Sequence, residues 1–286
     1  MQQRRIGDLK VSAIGLGGMP MSVRDVNDEE LGVRTVHRAL DEGITLIDTA
    51  DVYTPDDAPL GHNEDLIARA LASYGGPVDN VLVATKGGMT RDGAEWGTDG
   101  RPEAIRAACE ASLRRLGVEA IGLYQHHRPD PDVPYAETIG AFKDLLDSGL
   151  IVRAGLSNAD PAQIRLAHEI LGDGLVSVQN QFSPRFRSSQ PELDLCDSLG
   201  VAFLPWSPLG GMSRAGGLGS TYAVLAEVAS RYDVSPQQVC LAWELQKSPL
   251  VIPIPGASRP ESIADSARAA DLVLDDEDFA LVDAAV

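Results

Sequence analysis

Four polar residues follow closely on three separate apolar runs. Asp48 and Tyr53 lie in ITLIDTADVY, Lys86 follows NVLVAT, and His127 closes IGLYQHH. If those runs are neighbouring strands of one parallel barrel, all four side chains emerge at the same rim. A carboxylate, a phenol, an ammonium and an imidazole gathered there can put a proton on a carbonyl oxygen while hydride reaches the carbon. Such a carbonyl reacts readily only when the charge developing on oxygen meets a proton or strong donors. Tyr53 is the expected donor, since a phenol with an ordinary pKa of about 10 is protonated at neutral pH. Lys86 should favour the phenolate and lower that pKa, with Asp48 holding the ammonium in place. His127 should donate to the carbonyl oxygen and orient the substrate. Any one of these residues alone reads as a cap, a packing group or a solvated charge. Together they make a pattern that points to chemistry: Asp-x4-Tyr, then Lys and His at the ends of the next two runs.

Strands must carry these groups, and short runs rich in Val, Ile and Leu supply them. The candidates are Ala13–Leu16, Thr45–Ile47, Val81–Thr85, Gly122–Gln125, Val152–Leu156, Leu175–Gln179, Val201–Pro205 and Leu250–Ile254. Amphipathic stretches alternate with them, among them Asp28–Glu42, Pro102–Leu116, Pro134–Ser148, a helix from Pro161 capped by Asp160, and one opening at Ser235 and running through Gln246. Eight strands alternating with helices predict an α/β fold, a single (β/α)8 TIM barrel over residues 1–286. An open doubly wound sheet is the competing arrangement, but Gly15-Leu16-Gly17-Gly18 is not a GxGxxG turn. Arg4–Val11, with Gly7-Asp8 at its turn, reads as an N-terminal β-hairpin capping the barrel bottom. Long segments after strands, Gly87–Arg101 with Trp96, Ser183–Gln190 with Phe186, and Gly210–Ser220, should line the active face.

Composition narrows the classes. The chain has 286 residues, 44% of them hydrophobic, and a net charge of −18. A chain this acidic lacks the basic face that nucleic acid requires. The three cysteines, Cys109, Cys196 and Cys240, have no metal-binding spacing, so buried free thiols and no metal are expected. No leader pattern or membrane-spanning stretch is evident, which predicts a cytoplasmic protein with no membrane partner.

In order along the chain, IDTADVY (47–53), ATKGG (84–88), GLYQHHRPDP (122–131), GLSN (155–158), QNQFS (179–183), WSPLGGM (206–212) and IPIPGASRPESI (252–263) closely resemble the landmarks of the aldo-keto reductase superfamily. The resemblance covers nearly the whole chain and implies that Asp48, Tyr53, Lys86 and His127 form a catalytic tetrad. Of the adjacent histidines it selects His127, just before Arg128-Pro129. Strand alternation turns His126 the other way, into packing. The implied cofactor is NADPH. Ser157, Asn158 and Gln179 would hold the nicotinamide carboxamide, and Trp206 would stack on the ring. Gly17, Gly18 and Met19 would pass beneath it, and Ser207, Pro208, Leu209, Gly211 and Met212 would follow the pyrophosphate. Family members often grip the 2′-phosphate with a Lys-Ser pair and a later Arg, but those places hold Gly256, Ala257 and Ser262. Arg259 can supply the cation instead, with Ser258 beside it. NADH use therefore stays open. Asp265 and Ser266 stand where the family contacts adenine.

The implied activity is NAD(P)H-dependent reduction of an aldehyde or ketone to an alcohol. Two alternatives remain: an NADPH-binding regulatory subunit with little turnover, and a Schiff-base aldolase using Lys86. Met19, Met21, Trp96, Arg128 and Phe186 are expected, with Tyr53, to form the pocket for a small carbonyl or alcohol substrate. The chain ends soon after its last helix, Asp276–Ala285, which suggests an open pocket.

Overall fold

A computed structural model describes residues 1–23, 28–211 and 214–285; Met212 of the WSPLGGM motif lies outside these residues. The chain opens with an antiparallel hairpin, β1 (Gln3–Ile6) and β2 (Leu9–Ser12), which turns at Gly7 with φ +60°. The strands that follow are β3 (Leu16–Gly17), β4 (Leu46–Asp48), β5 (Leu82–Gly87), a second hairpin β6 (Met89–Asp92) and β7 (Glu95–Thr98), β8 (Leu123–His126), β9 (Ala154–Ser157), β10 (Leu175–Gln179) and β11 (Ala202–Phe203). Strands β3, β4, β5, β8, β9, β10 and β11 form a parallel sheet in that order.

The sheet closes through the segment after Leu250. Phe203 and Val251 pair on one side, while Gly17 pairs with Gly256 on the other. Ile252 and Ile254 donate to the carbonyls of Phe203 and Pro205, and the carbonyls of Pro253 and Pro255 accept from Gly15 and Gly17. Those prolines have no N–H to return, so the eighth position holds by bridges instead of a full ladder. This is the expected (β/α)8 barrel, with most predicted strand ends displaced by a residue or two. The predicted loop Gly87–Arg101 differs more, because it folds as β6 and β7.

Helices α1 (Glu29–Asp41), α2 (His62–Ser73), α3 (Pro102–Leu116), α4 (Tyr135–Asp147), α5 (Pro161–Leu171) and α6 (Gln190–Leu199) alternate with the strands, and α7 (Leu218–Thr221), α8 (Ala223–Tyr232), α9 (Pro236–Lys247), α10 (Pro260–Arg268) and α11 (Asp276–Ala285) follow. Their starts are sequence-encoded. Asp28 and Ser235 cap α1 and α9, and Asp160 with Gln163 forms a capping box on α5.

Two apolar layers result. One fills the space between strands and helices. The other lies inside the barrel, where Leu46, Ala84, Leu123, Leu204 and Ile252 meet Ile6 and Val11 of the first hairpin. That hairpin closes the barrel's N-terminal end, as expected. In β10 the register shifts between Leu175 and Ser177, so strict alternation is broken there.

Candidate active site

At the C-terminal ends of the strands the interior becomes polar. Asp48 ends β4 and Lys86 lies near the end of β5; both are buried. The Lys86 ammonium donates to Asp48 Oδ1 at 2.6 Å, to the Thr49 carbonyl at 2.8 Å and to the Tyr53 hydroxyl at 3.2 Å. All three ammonium protons are therefore used. Burial works against that charge, yet the Asp48 carboxylate and Tyr53 hold its pKa above the ordinary lysine value. Asp48 Oδ2 accepts from Gln179 at 2.8 Å and from Gln125 at 3.2 Å, which fixes the carboxylate from the opposite side.

Tyr53 stands edge-on to His127, with ring centroids 5.6 Å apart and planes at 82°. The expected direction of its pKa is reversed. Burial pushes the phenol above its ordinary value and outweighs the nearby ammonium, with Asp48 adding to the rise. His127 is held well below the usual imidazole range by burial and by Lys86, so it is neutral. Its Nδ1 is buried without a partner. His126 points outward among the rings of Tyr135 and Phe142, as the packing reading required, and burial lowers its pKa to about 4.

Above this cluster lies a cavity of about 630 Å³. It is lined by Asp48, Tyr53 and His127, by Met19, Ser157, Asn158, Gln179, Trp206, Ser207, Pro208, Leu209, Gly211 and Gly256, and by Trp96 and Arg128. Two expected pocket residues lie elsewhere. Met21 packs into the layer between strands and helices, and Phe186 does not line the cavity. Gly18 sits behind the wall, where an added Cβ would meet Asn63 Oδ1 at 2.4 Å and the Asp48 carbonyl at 2.9 Å.

The three candidate carboxamide ligands are tied to the tetrad. Gln179 bonds Asp48, Ser157 Oγ donates to the Gln179 carbonyl at 2.8 Å, and Asn158 Nδ2 donates to the His127 carbonyl at 3.0 Å. Arg259 stands exposed at the start of α10, with Ser262 Oγ at 3.5 Å and Ser258 adjacent. Asp265 accepts from Ser235 and Gln238 of α9 at 2.6 Å each, and Ser266 is buried.

Sequence reasoning missed Gln125, although it precedes His127 by two positions and so shares its interior face. Thr49 and Asn63 were also missed. Asn63 bonds Thr49 Oγ1 and the Gly18 carbonyl, and no local pattern announces it. Among the described residues no group of three His, Cys, Asp or Glu side chains could hold a metal, and no helix is long and apolar enough to cross a membrane. All three cysteines are free and buried.

A model of the aldo/keto reductase family matches residues 13–286. An uncharacterized oxidoreductase of Schizosaccharomyces pombe is 36% identical over 284 residues, spanning 98% of this chain and 88% of that protein. An aldo/keto reductase from Klebsiella pneumoniae, solved with NADP and acetate, aligns with a TM-score of 0.81 at 27% identity over 99% of this chain and 94% of that one. The glycerol dehydrogenase of Gluconobacter oxydans aligns at 0.84 and 29% identity, with the same coverage of 99% and 94%.

Proposed function

The chain belongs to the aldo/keto reductase family, and from that premise we propose that it is an NADPH-dependent oxidoreductase interconverting a small aldehyde or ketone and its alcohol. The observation that carries this reading is the buried Asp48–Lys86–Tyr53 chain at the floor of a 630 Å³ cavity walled by Trp206.

The cavity's donor set fits a dinucleotide. Trp206 offers a flat aromatic wall beside Ser157 and Asn158. Gly210 and Gly211 both have positive φ, +79° and +98°, and with no side chains they let the backbone there approach an anion closely. Gly256 leaves no room for a side chain, since a Cβ there would meet Pro20 Cγ at 2.8 Å. Residues Ser207, Pro208, Leu209 and Gly211 would follow the pyrophosphate. Arg259, Ser258 and Ser262 at the start of α10 would take the 2′-phosphate, with Asp265 and Ser266 nearer the adenine.

A bound reduced nicotinamide would supply the hydride. Tyr53 then protonates the carbonyl oxygen. Its raised pKa does not hinder this step, because an alkoxide is a far stronger base than a phenolate. The proton still moves downhill. Lys86 stabilises the phenolate left behind, and Asp48, gripped by Gln125 and Gln179, holds Lys86 charged. His127 is neutral and Nδ1 faces no acceptor, so the tautomer protonated at Nε2 is favoured and serves as a donor to the substrate oxygen. A Schiff base needs the opposite, a neutral amine, and the raised lysine pKa argues against an aldolase.

The test is a titration with NADPH and separately with NADH, watching tryptophan fluorescence, followed by NADPH oxidation with a panel of aldehydes and ketones. Quenching with NADPH at micromolar concentration and turnover of at least one carbonyl support the reading. Absence of binding by either cofactor contradicts it.

A further inference from the structure

The loop that carries Tyr53 stands apart from both main cores. Ala50, Val52 and Tyr53 form their own small apolar cluster, with Met19, Val23 and Met89 packed against it. So few contacts give a loop little rigidity, and polar ties must supply the rest. The Asn63 backbone N–H donates to the Tyr53 carbonyl at 3.1 Å from one side.

From the other side comes Arg91 of β6. Its Nη1 donates to the carbonyls of Val52 at 3.3 Å and Thr54 at 2.5 Å, the residues immediately before and after Tyr53. Nη2 pairs with the Asp56 carboxylate in the same loop, and Nε donates to the Gly93 carbonyl at 3.0 Å, closing the hairpin's own turn. The side chain is only 2% exposed. The guanidinium also lies 4.4 Å from the ring centroid of Trp96, its cross-strand partner on β7. Trp96 in turn forms part of the cavity wall.

We propose that Arg91 is a positioning residue for the proton donor. One guanidinium fixes the backbone on both sides of Tyr53 and the aromatic wall of the substrate cavity, so the β6–β7 hairpin and the Tyr53 loop act as one body. This rests on the oxidoreductase reading, in which the phenol must meet a substrate oxygen. Only a planar fork with several fixed donors can serve three carbonyls, a carboxylate and a ring face together. A lysine in its place keeps the charge and loses that geometry. A misplacement near 1 Å at a reacting group costs roughly 100-fold in rate.

The test compares wild type, Arg91→Ala and Arg91→Lys by amide hydrogen exchange and by steady-state kinetics with NADPH and a turned-over carbonyl. The alanine variant is expected to exchange roughly 10-fold faster at residues 50–60 while barrel strands keep their protection. Its kcat should fall about 10- to 100-fold with NADPH affinity unchanged. Added guanidinium ion should restore part of the loss, and the lysine variant should recover only a fraction. Unchanged exchange at 50–60 would overturn the tie, and faster exchange with wild-type kcat would overturn the positioning role. Absence of turnover by the wild type, with faster exchange still seen in the variant, would overturn the functional reading and leave the tie standing.

Discussion

Two halves of one barrel interior are built by the same strands a few residues apart. In the lower half Leu46, Ala84 and Leu123 meet Ile6 and Val11 of the capping hairpin in an apolar plug. In the upper half the next inward positions on those strands are Asp48, Lys86 and Gln125. The lower half gains free energy by leaving water, whereas the upper half buries charge and recovers the cost only through complete pairing. Apolar packing thus holds one end and paired charge the other, and substitutions at the two ends should fail differently.

The largest effect is expected where the two properties meet. Lys86→Met leaves the buried Asp48 carboxylate without its cation, so a loss of about 3–5 kcal/mol of stability should accompany loss of turnover. Chemical denaturation and steady-state assay of the same preparation check this. A variant with wild-type stability would show that the pair is not structural.

Leu123→Ala sharpens the contrast from below. Leu123 is fully buried in the plug, and removing it should cost about 2–5 kcal/mol in unfolding free energy. The protein that remains folded should keep wild-type cofactor affinity. Affinity falling in step with stability would break the division between the halves.

A smaller effect concerns the outward face of β8. His126 is buried and its pKa is lowered from 6.5 to about 4. The unfolded chain therefore takes up the proton first as pH falls. The contribution of the neutral imidazole is complete above pH 6.5 and is lost as pH drops toward 4, to a total of ~3 kcal/mol. His126→Phe should flatten that part of the stability-versus-pH curve without changing turnover near neutrality. An unchanged slope would mean that other groups govern it.

Both halves were unevenly legible in the sequence. The four residues could be read as a group because Asp48, Lys86 and His127 each follow an apolar run, Tyr53 comes five residues after Asp48, and a parallel barrel sends all such ends to one rim. Strand limits moved because ladders end where partners end, as at Leu250–Ile254, where Pro253 and Pro255 cannot donate. The β6–β7 hairpin was hidden because Met89–Asp92 and Glu95–Thr98 are too short and too polar to show a core-facing pattern. Met21 gave no sign of packing outward. The direction of Tyr53's pKa depends on how deeply the phenol is buried against how near Lys86 comes, a balance set by the fold.

The central claim is that the rim's chemistry can be removed without disturbing either the plug or the cofactor cavity, and Tyr53→Phe tests it most directly. The variant should lose about 10²–10⁴-fold in kcat for carbonyl reduction, while its NADPH affinity stays at the wild-type value and its stability falls only by the roughly 1–3 kcal/mol that an unpaired Lys86 ammonium proton costs. Turnover near the wild-type rate would contradict the account, because the proton would then come from a group other than the buried phenol.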